Sequence, residues 1–151
     1  MILGVKFRTT QDGLVTGIRF YKGPQNTGTH TGSIWTADGG QLATVTFTDE
    51  TPSGWQTMSF PEPVAVSAGT TYVASYHTTS GFYSVDRDYF TSQYVNGPLI
   101  GLASAASGAT ACTPTARPTV SPPTRTAPRT TGCRRCWSSA VDARAPVRLA
   151  Q

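Results

Sequence analysis

The chain has 151 residues, 38% of them hydrophobic, which is enough for one domain with a real core; no apolar run reaches the ~18 residues of a membrane helix. Its formal charge of +4 is unevenly placed, since residues 1–102 hold five Lys or Arg against seven Asp or Glu, and residues 103–151 hold seven Arg against one Asp. All six Tyr and all six Phe fall in the first part and all three Cys in the second, so the composition breaks near Ala103 and the basic balance excludes nothing about the first hundred residues.

Leu3, Val5 and Phe7 alternate with Gly4, Lys6 and Arg8, the pattern of a half-buried strand that ends at a Gln11-Asp12-Gly13 turn. Leu14 to Lys22 follows with Ile18 and Phe20 on one face and Arg19 and Tyr21 on the other, so the two runs predict a hairpin. Gly23 to Gly32 is polar, with three Gly and a Pro, and reads as a ten-residue loop. Ser33 to Ala37 and Gln41 to Thr48 are strands joined by Asp38-Gly39-Gly40, the second with Ala43, Val45 and Phe47 on one face. Trp55 to Phe60 is another, and Pro61 and Pro63 are expected to stop it, because proline donates nothing to a ladder.

Val64 and Val66 lead into the Ala68-Gly69 corner, and Thr71 to His77 is a strand with Tyr72, Ala74 and Tyr76 on one face. A Tyr just after such a turn can direct its hydroxyl back to the corner backbone, as the tyrosine corner of Greek-key sandwiches does. Phe82 to Val85 reads as a further short strand, and a polar stretch leads to Asn96-Gly97-Pro98-Leu99-Ile100. Seven or eight short strands at turn spacings of about 8–12 residues, without helical periodicity, predict an all-β fold, an antiparallel β-sandwich.

L-G-V-K-F-R, G-L-V-T-G-I-R-F-Y-K-G, N-T-G-T-H-T-G-S-I-W, S-G-W-Q-T-M-S-F, V-S-A-G-T-T-Y-V-A-S-Y-H and N-G-P-L, in that order over about residues 3–102, resemble the bacterial domain of unknown function 4082. The resemblance implies an immunoglobulin-like sandwich module of large secreted or cell-surface proteins, often beside carbohydrate-active or adhesive modules. It brings no catalytic residue and no cofactor. The chain leads from Met1 straight into a strand without a signal region, so it is expected to begin at a bare domain or to lack upstream sequence.

The resemblance also implies a Tyr-rich segment and a closing strand, where this chain has T-A-C-T-P-T-A-R. Read one base earlier, codons for Thr110 to Arg117 permit Asn-Gly-Val-Tyr-Ala-Tyr-Gly-Ser, and those for Thr130 to Cys133 permit Asn-Tyr-Trp-Val. The expected organisation is therefore a sandwich over residues 1–102 lacking its closing strand, and a Thr/Pro/Arg-rich, disordered and out-of-frame tail over 103–151. The nucleotide sequence tests the frame.

Cys133 and Cys136 have C-x-x-C spacing, but with Cys112 as the one other thiol and no His in the tail they read as inert. The spread of Arg among prolines, without interleaved aromatics, argues against specific nucleic-acid binding. His30 and His77 lack a G-x-S-x-G, H-E-x-x-H or phosphate-loop context, so no enzyme is expected. Asp86 and Asp88, with Asp38 or Asp49, form a weak candidate for Ca²⁺ that turn chemistry explains equally well, and no metal site is assigned.

Aromatics are the remaining candidates, because sugar rings rest on exposed aromatic faces while Asn, Asp and His bond their hydroxyls. Trp35 and Tyr76 are expected in the core; Tyr89 is weighed beside them; Trp55 and Tyr83 adjoin turns. The reading is a non-catalytic extracellular accessory module binding a glycan or surface polymer through Trp55, Tyr83, His77, Asn26 and His30. The alternative is a structural spacer between neighbouring modules of a larger chain. No membrane partner is expected.

Overall fold

A computed structural model describes residues 1–84 and 89–103, together with the backbone of 147–150. Among the described residues there are nine strands, β1 (Ile2–Thr9), β2 (Gly13–Lys22), β3 (His30–Thr36), β4 (Gln41–Thr46), β5 (Gly54–Val66), β6 (Tyr72–Thr78), β7 (Tyr94–Asn96), β8 (Leu99–Gly101) and β9 (Val147–Ala150), and no helix. They form two antiparallel sheets, one of six strands in the order β4-β3-β6-β1-β8-β7 and one of three in the order β5-β2-β9. The result is a β-sandwich, as the alternating runs predict.

The inner faces are those that alternation marks. Leu3, Val5 and Phe7 from β1, Val15, Ile18 and Phe20 from β2, Ile34 from β3 and Tyr72, Ala74 and Tyr76 from β6 are buried in one core with Phe47, Phe60 and Val66. Phe20 of the small sheet stacks on Tyr76 of the large one, with centroids 4.4 Å apart and planes 14° apart, and meets Phe47 edge-on. This aromatic cluster ties the layers together where the sheets come closest. Gly32 marks that approach: a Cβ there would lie 2.5 Å from Ile18 Cγ2 and 3.0 Å from Phe47 Cε2.

The corner before β6 forms as expected. Ser67 N–H donates to the Tyr72 hydroxyl at 3.1 Å, Gly69 takes φ 71°, and Gly69 N–H donates to the Thr9 carbonyl, which fixes the corner to the end of β1.

Five expectations are corrected. β1 and β2 do not form a hairpin: the Asp12-Gly13 turn carries the chain from one sheet to the other, where β1 pairs with β6 and β8, and β2 with β5 and β9. β5 does not end at Pro61; it runs as one strand to Val66, because Phe60 to Pro63 fall in an irregularity where Ser59 pairs with Gly17 and Val64 with Val15, so both prolines sit where β2 asks for no donor. His30 is not a loop residue but opens β3, paired with Thr78. Phe82 to Ser84 form no strand; β7 and β8 supply the last strands on β1 instead. Trp35 is half-buried on the outer face, since its neighbour Ile34 takes the inward position, and its indole N–H donates to Ser75 Oγ at 2.8 Å.

The segment 103–151, expected to stay apart from the sandwich, contributes β9, whose four residues pair with Leu14, Val15, Gly17 and Ile18 of β2. An unpaired β2 would present free N–H and C=O groups on that side, and a short strand satisfies them. Residues 104–146, including Cys112, Cys133 and Cys136, lie outside the described residues, as do Asp86 and Asp88.

Candidate functional site

The five residues that the sequence reading groups into one site fall in three places. Asn26 and His30 are inside the domain at the end of the sandwich where β2 stops and β3 begins, with 1% and 0% of their surface exposed. Asn26 Oδ1 accepts from the hydroxyls of Thr78 and Ser80. His30 Nδ1 lies 2.8 and 2.9 Å from the two oxygens of Glu50, and Lys22 Nζ lies 2.8 Å from Glu50 Oε2. Lys22 turns inward with Val15, Ile18 and Phe20 rather than outward with Arg19 and Tyr21, so the acid and base are held together in a nearly dry setting. Asn26 and His30 therefore present almost no surface to a ligand in solution; Phe20 at 4.9 Å packs against the His30 ring.

Tyr83 is half-buried against the core; burial first, and then the influence of Tyr83, raise the Tyr76 phenol well above its ordinary range. His77 lies on the outer face of the large sheet, opposite Ile2 and Thr31. Partial burial first, then the N-terminal ammonium and His30, lower its pKa from the usual histidine value. Trp35 shares that face, surrounded by a hydroxyl network in which Ser33 Oγ donates to Thr44 Oγ1 at 3.0 Å.

Trp55 is in the third place, and it is exposed, at 42%. It stands on the outer face of β5 directly opposite Tyr21 of β2, which is 40% exposed, with ring centroids 5.3 Å apart and planes at 79°. Arg19, one position diagonal on β2 and opposite Thr57, places its guanidinium 4.5 Å from the centroid of the Trp55 ring. Thr57 and Ser59 continue this face along β5 and are exposed. The patch is built by strand geometry alone: alternation sends Phe20 and Gln56 inward, and so sends Arg19, Tyr21, Trp55 and Thr57 out on one side.

A family model described as domain of unknown function (DUF4082) matches residues 1–126. The chain belongs to this family. The match reaches beyond residue 102, where the sequence reading sets its boundary. No curated protein matches the chain.

Two members of the exposed patch in this DUF4082 domain, Tyr21 and Arg19, are absent from the sequence-based candidates. The signal was present, because Arg19 and Tyr21 alternate with buried Ile18 and Phe20; what the sequence lacks is the register that sets Tyr21 across from Trp55. Elsewhere, an open groove of about 460 Å³ runs between the edges of β4 and β5, lined by Leu42, Ala43, Phe60, Pro61, Pro63 and Val64 among others. Among the described residues no three His, Cys, Asp or Glu are grouped to hold a metal ion.

Proposed function

We propose that this DUF4082 domain is a non-catalytic accessory module of an extracellular or cell-surface protein, binding carbohydrate or another surface polymer on the outer face of β2 and β5. The observation that carries the reading is the exposed pair Tyr21 and Trp55, side by side on a regular strand pair with a cation against the indole. Exposed aromatic surface is costly in water and flat π faces match the C–H faces of pyranose rings, while Thr57, Ser59 and the Tyr21 hydroxyl offer hydrogen bonds around the rim. Trp55 comes from the original candidates; Asn26, His30 and Tyr83 leave the site, and His77 belongs to a different face.

A second reading has its own support. The inward commitment of Asn26, His30, Glu50 and Lys22 stiffens one end of the sandwich, which suits a spacer between modules.

Affinity electrophoresis of the full chain through gels containing individual soluble polysaccharides separates the two. Binding through the patch retards the chain in at least one polymer, and Trp55→Ala and Tyr21→Ala each remove the retardation while circular dichroism stays unchanged. No retardation in any polymer, or retardation that survives both substitutions, favours the spacer.

A further inference from the structure

Each of the two sheets ends, among the described residues, in two edge strands: β4 and β7 in the large sheet, β5 and β9 in the small one. Natural edges are blunted by shortness, by proline or by charge, because unpaired N–H and C=O groups invite a further strand. β7 has three residues and β9 four, and β5 carries Pro61, Glu62 and Pro63. β4 has none of these devices, since Gln41 to Thr46 contains no charged residue and no proline.

The pairing of β4 with β3 fixes which of its backbone groups face outward. Phe47 N–H donates to the His30 carbonyl at 2.9 Å, and the register continues with Gly32 opposite Val45 and Ile34 opposite Ala43. Bonded and non-bonded pairs alternate along an antiparallel ladder, so Ala43 and Val45 turn their N–H and C=O groups to β3, and Leu42, Thr44 and Thr46 turn theirs away from it. These three are symmetric about Thr44. A second β4, laid antiparallel across a two-fold axis at Thr44, sets Thr44 against its own copy and Leu42 against Thr46 in both directions. Every outward donor then meets an outward acceptor.

Side chains suit the same register. Ala43 and Val45, half-buried on the inner face, come opposite one another's copies beside the groove between β4 and β5, whose walls include Leu42, Phe60, Pro61 and Val64. Small apolar groups from the second copy cover this wall, and no charge on either β4 opposes the approach. We propose that β4 is the docking edge for a second copy of this chain, joining two six-stranded sheets into one continuous sheet about a two-fold axis at Thr44. One strand pair covers less than the roughly 1,200 Å² of a standard interface, so the dimer is weak, in the micromolar range.

Sedimentation equilibrium of the full chain without polysaccharide, over an about hundredfold range of concentration centred near about 50 µM, reads the association by mass action. A reversible monomer–dimer equilibrium is expected. Amide hydrogen exchange at the two ends of that range should show Leu42, Thr44 and Thr46 slowed only where the dimer forms, with Ala43 and Val45 slow throughout. Thr44→Lys and Thr44→Glu each set two like charges face to face on the axis and should weaken the dimer about tenfold or more; mixed one to one, the two variants should associate again. Circular dichroism and the urea midpoint of each variant establish that the fold is intact.

A monomer over the whole range overturns the proposal, and slow exchange of Leu42, Thr44 and Thr46 in that monomer would show another part of the chain holding the edge. Self-association that survives both substitutions, or a mixture that fails to recover it, overturns the proposal as well. None of these outcomes bears on the polymer-binding reading, which rests on Tyr21 and Trp55 of the small sheet.

Discussion

Asn26, His30 and His77 show why single polar residues are hard to place from sequence. All three are small-to-medium polar side chains next to Gly, Thr or Ser, and such neighbours suit a wet loop or a tightly packed end of a sandwich equally well. What decides is the partner: Thr78 and Ser80 for Asn26, and Glu50 for His30, separated from them by twenty or more residues. No local pattern carries that information. Tyr72 is the opposite case, because its partner Ser67 is five residues away across a turn that the sequence spells out.

His77 carries a prediction at this scale. Partial burial, the N-terminal ammonium and His30 all hold its folded pKa below the usual histidine value near 6.5. The unfolded chain therefore binds a proton first as pH falls, so stability is intact above that value and declines below it. Urea midpoints measured at pH 7.5 and pH 5 should show the lower value at pH 5, with a smaller gap in His77→Gln. A gap of the same size in the variant would remove His77 from the cause.

At the scale of elements, period-two alternation identifies the faces of β1, β2, β4 and β6 with little error, because burying one face of a strand is a repeated local requirement. Departures arise where long-range pairing overrides a local signal. Pro61 and Pro63 are strand stops in sequence, yet β5 passes through them because its partner β2 skips the corresponding positions at the irregularity between Val15 and Gly17. Gly28, Gly32 and their Thr neighbours read together as loop, but Gly32 is a strand residue kept small by what faces it. Nor does the composition of the tail announce β9: the edge of β2 supplies the unmet backbone groups, and almost any extended segment can answer them.

Gly32→Ala tests the close approach of the sheets. Its methyl would press on Ile18 Cγ2 and Phe47 Cε2, side chains that are themselves packed against Phe20 and the rest of the core. The expected loss is about 1–3 kcal/mol of unfolding free energy, the usual range for overpacking. Denaturant unfolding with an unchanged slope would measure it; a variant as stable as the parent would mean that the layers part there easily.

At the scale of the whole molecule, the sandwich presents two dissimilar outer faces. The large sheet displays serine and threonine hydroxyls bonded to one another around Trp35. The small sheet displays Tyr21, Trp55 and Arg19, and that is where the polymer-binding account rests. The fold class and the corner were legible from the sequence, and so was the position of Trp55 beside a turn at the start of a strand. The patch as a whole was not, because it exists only once two strands lie side by side in a particular register.

The most direct measurement follows the indole N–H resonances of Trp35 and Trp55 by ¹H–¹⁵N NMR while oligosaccharides from the tightest-binding polymer are added to the full chain. The account predicts a saturable shift of the Trp55 signal, absent in Trp55→Phe, with the Trp35 signal unmoved. A saturable shift of Trp35 with Trp55 unchanged would place the ligand on the opposite sheet and contradict it.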